Sequence, residues 1–89
     1  MIYKVKNQYN YLPVCLDRSE LIIHRPTQNY NHAYQNIPAI KIKNIYKNKV
    51  EIFLYLNDFI ILDKFKYIYV YSPDDKRTYW IWEDLLEKL

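Results

Sequence analysis

Cysteine and histidine have the widest chemical reach of any side chains in this sequence, and there are few of them: Cys15, His24 and His32. If Asp17-Arg18-Ser19-Glu20 is a turn between two strands, Leu16 faces Leu21, Cys15 faces Ile22 and Pro13 faces His24. Cys15 and His24 then lie diagonally on one face, roughly 7–8 Å apart. A thiol beside an imidazole is the beginning of an activated thiolate. No third residue is placed to orient the imidazole, and a lone Cys on an apolar strand reads more simply as a small core residue. As metal ligands the same three residues stand nine and eight positions apart. Zinc sites usually draw on pairs of ligands at short spacing, so neither a metal nor another cofactor is expected.

Two broader constellations remain. A metal-independent ribonuclease needs only Lys, Arg, Tyr and His, and all are present, but no spacing among them favours it. Lys41, Lys43, Tyr46, Lys47 and Lys49 interleave positive charge with an aromatic ring. That is the chemistry of a single-strand DNA or RNA binder, in which bases stack on rings and lysines follow the phosphates.

The strongest pattern is aromatic. If Ser72 and Arg77 close a turn, Tyr71 faces Thr78, Tyr69 faces Trp80 and Tyr67 faces Trp82. Val70 with Tyr79 and Ile68 with Ile81 occupy the other face, because side chains alternate along a strand. Exposed, this ladder is a protein-recognition surface of Tyr and Trp anchors, flanked by Asp74 and Asp75. Buried, the same rings are core. The acids that would repel phosphate here would steer a basic partner.

The totals bound what these residues can be part of. Eighty-nine residues make a single domain, 1–89. Hydrophobic residues are 51% of the chain and aromatics 18%, too rich for a disordered chain. One Cys excludes an intramolecular disulfide and suits a reducing cytosol. No signal peptide or membrane-spanning run is visible, so a cytoplasmic protein is expected, in its own cell or in a host's. Gly is absent, which excludes phosphate-cradling loops, a dinucleotide fingerprint and a nucleophile elbow. Positions of positive φ must then use other residues, with Asn48, Asn57 and Asp58 the candidates.

Lys outnumbers Arg ten to three, and Ile, Asn and Tyr are abundant. AT-rich codons produce this set, as in AT-rich bacteria, their phages and other mobile elements. The net charge of +3 is split: residues 1–49 hold eight Lys/Arg against two acids, and residues 50–89 hold five against eight. The surface can therefore carry two poles.

The elements that must position these residues are mainly strands. Ile2–Lys6 alternates as a first strand, and Tyr11–Leu16 is a second that Pro13 confines to an edge or bulge. Leu21–His24 reads as a third. Arg25 to Pro38 has no strand signal; it is a functional loop carrying Arg25, Tyr30, His32 and Tyr34, or a short helix with Tyr30, Tyr34 and Ile37 on one face. Ala39–Tyr46 and Val50–Leu56 form a hairpin through a three-residue loop, which pairs Ile42 with Leu54 and Ile40 with Leu56. Asn57-Asp58 is a turn, after which Phe59–Leu62 returns alongside. Both faces of these central strands are apolar, so the sheet must curl or be covered. Glu83–Leu89 reads as a short helix that survives only by docking. A longer helix from Ser72 is the rival, although Tyr-Trp-Ile-Trp is better suited to a strand.

The expected fold is α+β: a predominantly antiparallel, strongly curved or barrel-like sheet of five to seven short strands with a short C-terminal helix. The expected function is non-enzymatic protein binding. A phage or mobile-element inhibitor of a host or defence nucleic-acid-handling protein fits the composition. Single-strand nucleic-acid binding and a small ribonuclease are the alternatives.

Overall fold

The computed structural model describes residues 1–6, 11–26, 39–41 and 51–89, with the backbone alone for Lys41. The described residues are mostly antiparallel sheet with one short α-helix. Its strands are β1 (Ile2–Val5), β2 (Tyr11–Pro13), β3 (Ala39–Lys41), β4 (Ile52–Leu62), β5 (Phe65–Ser72), β6 (Arg77–Trp82) and β7 (Leu86–Lys88). Helix α1 spans Arg18–His24, and a 3-10 turn, Glu83–Leu85, joins β6 to β7. The main sheet runs β6-β5-β4-β1-β7, and β2 pairs with β3 in a second, two-stranded sheet.

The β5–β6 hairpin has the register expected from side-chain parity. Tyr67 pairs with Trp82, Tyr69 with Trp80, Tyr71 with Thr78, and Ser72 with Arg77. Pro73 to Lys76 make the turn: Lys76 N–H donates to the Ser72 carbonyl (2.7 Å) and Lys76 takes a positive φ of 55°.

Four expectations need correction. Leu21–His24 is part of a helix and not a strand. Asp17 caps it, its side chain accepting from Glu20 N–H at 2.9 Å and from Ser19 Oγ at 2.6 Å. Arg25 closes it in the left-handed region at φ 48°, donating its N–H to the Leu21 carbonyl, and Pro26 follows. Asp17 followed three residues later by Glu20 is the capping-box spacing, a signal present in the sequence.

Secondly, Asn57-Asp58 is not a hairpin turn. β4 continues through it, and Leu56, Asn57 and Asp58 stand opposite the single residue Tyr69. Asn57 has φ 60°, so its left-handed tendency is spent on a bulge. The turn comes at Asp63-Lys64, with φ 48° and 74°, between Leu62 and Phe65. Positive φ at both central residues is the geometry of a type I′ turn.

Thirdly, Ile40 pairs with Leu12 and not with Leu56. β1 takes that side of β4, with Ile2 opposite Leu54 and Tyr3 opposite Phe53. The expected partner Ile42 and its loop lie outside the described residues. Fourthly, the C-terminal helix is only the 3-10 turn. Leu86–Lys88 then runs as β7 beside β1, pairing Val5 with Leu86 and Tyr3 with Lys88. A seven-residue helix gains little by itself, whereas the edge of β1 offers hydrogen bonds and burial to both Leu85 and Leu86.

Both faces of the sheet carry buried residues. One carries the ladder; the other carries Tyr3, Val5, Phe53, Ile68, Val70, Tyr79, Ile81 and Leu86, all buried. Leu12, Val14, Cys15 and Leu21 are fully buried in the same core. Cys15 exchanges backbone hydrogen bonds with Trp80, so it lies on the ladder side. Arg18 of α1 stands 6.0 Å from the Trp80 ring, placing the helix on that side too.

Candidate functional site

Burial divides the ladder. Tyr67 is 0% exposed, Trp80 4% and Trp82 7%, so these rings belong to the core. Phe65 packs edge-on against Trp82 at 5.3 Å between ring centroids. Tyr69 and Tyr71 remain half-exposed beside Thr78. Tyr69 lies 4.8 Å from Trp80 at a tilt of 32°, and its hydroxyl donates to Thr78 Oγ1 at 2.8 Å. One ring face and the polar tip are thus fixed by the sheet while part of the ring meets water.

Beside these residues is a shallow depression of about 380 Å³ lined by Leu16, Tyr71, Lys76, Arg77 and Thr78. Leu16 is exposed because the chain leaves Cys15, tied to β6, and turns toward α1. Asp74 and Asp75 lie in the β5–β6 turn, where Asp75 Oδ2 accepts from the Tyr79 hydroxyl at 3.0 Å. Asp75 is therefore committed within the fold. Lys76 and Arg77 share the depression with Tyr71, and Arg18 lies over Trp80.

The opposite face holds a polar hub absent from the sequence reading. Glu83 Oε2 accepts from the Tyr3 hydroxyl at 3.3 Å and meets Lys66 Nζ at 3.4 Å. An open groove of about 360 Å³ surrounds it, with Tyr55, Lys6 and Lys88 also on its walls. Burial raises the Tyr3 phenol pKa, helped by the charge of Glu83. Eighty positions separate Tyr3 from Glu83, and no local pattern brings them together.

The remaining candidates are dispersed. Cys15 is fully buried and its thiol is pushed up to about 12, by burial first and then by Glu20 and Asp17. It is a protonated core thiol. His24 ends α1 and is not on a strand diagonal to Cys15. Among the described residues no group of three His, Cys, Asp or Glu is arranged to hold a metal ion. Lys41 pairs with Tyr11 at the end of β3. Lys43, Tyr46, Lys47 and Lys49 lie outside the described residues, as do Tyr30, His32 and Tyr34. Arg25 is ion-paired with Asp63, which ties the end of α1 to the β4–β5 turn. No described helix is long and apolar enough to cross a membrane.

No protein-family model, curated protein or solved structure matches the chain.

Proposed function

We propose that this protein is a non-enzymatic binding module that recognises another protein through the Tyr69–Tyr71 face of the β5–β6 hairpin. The observation that carries the reading is the fixation of Tyr69 between Trp80 and Thr78. A half-exposed tyrosine that loses little freedom on binding is the material of interface hot spots. Tyr71 and Leu16 extend the apolar area, and the depression beside them accepts a side chain from the partner. The hairpin that carries the site has buried residues on both faces. The edge strands β6 and β7 of the main sheet are joined by three residues, which favours a strongly curved, barrel-like sheet.

The narrower reading is an inhibitor from a phage or mobile element directed at a host or defence nucleic-acid-handling protein. It rests on the AT-rich composition and the acid excess of residues 50–89. The test is affinity capture, identification of the captured protein, then titration calorimetry with the purified pair. Tyr69→Ala with Tyr71→Ala should weaken binding by about 30-fold or more, the effect of a hot spot of about 2 kcal/mol. Native far-UV circular dichroism should be retained. Unchanged affinity in a folded variant sinks the site.

A second reading has its own observation. Lys76 and Arg77 line the depression with Tyr71, and Arg18 lies over the Trp80 ring that packs on Tyr69, a mixture of cations and rings suited to single-stranded nucleic acid. Binding of a labelled oligonucleotide that falls steeply with salt supports it. Absence of binding at low salt removes it.

A further inference from the structure

β4 is longer than the strand that flanks it. β1 pairs with Ile52–Leu54, and Tyr55 N–H reaches the Met1 carbonyl. Among the described residues no strand pairs with that side of β4 beyond Tyr55. The two-residue turn makes Leu62–Phe65 and Ile60–Tyr67 the hydrogen-bonded pairs of the hairpin. The N–H and C=O groups of Phe59 and Ile61 therefore point outward, away from β5. Their side chains share one face and are 50% and 60% exposed. Lys66 stands 4.8 Å over the Phe59 ring, which holds the ring on that face. An apolar edge with outward backbone groups is a template for another strand.

We propose that this edge pairs with the same edge of a second copy of the chain, β4 against β4, antiparallel about a twofold axis. Centring the pairing on Ile60 sets Phe59 opposite Ile61 of the second copy, and Ile61 opposite its Phe59. The outward groups of each such pair satisfy one another, and the exposed apolar side chains meet on one face. Charge selects the same arrangement. Asp58 lies at one end of the segment and Lys64 at the other. Antiparallel pairing brings Asp58 toward the turn that carries Lys64 in the second copy. Parallel pairing would set like charges together. Asp63 is held by Arg25 of its own chain, which leaves Lys64 as the cation of that end. Such an interface is isologous and closes on itself. It uses none of the residues that line the depression beside Tyr71, and it does not rest on the proposed function.

The test is sedimentation equilibrium from about 10 μM to about 1 mM, the range of a weak association. The wild type should rise reversibly from the monomer mass toward twice that mass. Ile61→Lys should remain monomeric, while Ile23→Lys, at a helix position 74% exposed, should behave as the wild type. Asp58→Lys and Lys64→Asp should each weaken association at least fivefold, and the two together should restore it. The exposed charge variants keep the test decisive if Ile61→Lys fails to fold. A wild type that stays monomeric throughout, an Ile61→Lys variant that dimerises normally, or charge changes without mutual rescue would overturn the proposal.

Discussion

Cys15 and Trp80 exchange both of their backbone hydrogen bonds, N–H to carbonyl at 3.0 Å in one direction and 2.8 Å in the other. This isolated bridge fastens the N-terminal segment to the outer edge of β6. It also buries the thiol on the ladder side, where its proximity to Tyr67 is felt as a further upward push on that phenol.

Alkaline stability follows from this pair. The Cys15 thiol rises from 9.0 to about 12 and the Tyr67 phenol from 10.0 to about 12, both mainly through burial. In the unfolded chain both ionise first, so above pH 9 the unfolded state releases protons that the folded state retains. Stability should be flat with respect to these groups below pH 9 and fall between about pH 9 and about pH 12. Urea midpoints across this window check it, and the slope should be shallower in a Cys15→Ala, Tyr67→Phe variant. A chromogenic disulfide reagent should find no reactive thiol at pH 7 until the protein is unfolded.

The Tyr67 hydroxyl is buried without a hydrogen-bond partner among the described residues. An unsatisfied buried hydroxyl costs about 1–3 kcal/mol. Tyr67→Phe should therefore leave stability unchanged or raise it by about 1 kcal/mol, as measured by urea denaturation. Trp80→Ala should do the opposite, with a loss of about 3–5 kcal/mol expected for a large buried ring. For a domain of this size such a loss is enough to unfold it.

At the N-terminus of α1, Asp17 accepts from Ser19 Oγ and Glu20 N–H, and these bonds hold its carboxyl below the usual range. The contribution is present above the unfolded pKa and is lost as pH falls through the folded value. Asp17→Ala should lower the melting temperature at pH 7 and leave it nearly unchanged at pH 2. Calorimetry at the two pH values reads the difference.

Lys64 occupies the second central position of a type I′ turn at φ 74°. Glycine adopts this conformation without a Cβ penalty. Lys64→Gly should stabilise the monomer by up to about 1 kcal/mol in urea denaturation at low protein concentration. Asn57→Pro should be strongly destabilising, because proline cannot take the φ of 60° found at the bulge.

Local pattern was enough for the β5–β6 hairpin. Alternation in Lys66–Ser72 and Arg77–Trp82 leaves one register that keeps like with like, and that register is the one observed. Alternation likewise marks both faces of the central strands as apolar. What the sequence could not decide is the choice of neighbour. Ile40 has an equally apolar partner in Leu12 or in Leu56, and only the folded chain sets it against Leu12, with β1 taking Ile52–Leu54 of β4. Glu83–Leu89 has helical spacing, yet the open edge of β1 recruits its end as a strand. Asn57-Asp58 has turn chemistry, yet the pairing of Phe59–Leu62 with β5 carries the strand past it. The same holds for the site. The ladder Tyr67, Tyr69, Tyr71, Trp80 and Trp82 was legible as a set, but residue types alone do not say which rings water reaches. The layer of Cys15 and α1 decides that, leaving Tyr69 and Tyr71 at the surface, because burial is a property of what packs on a strand and not of the strand itself.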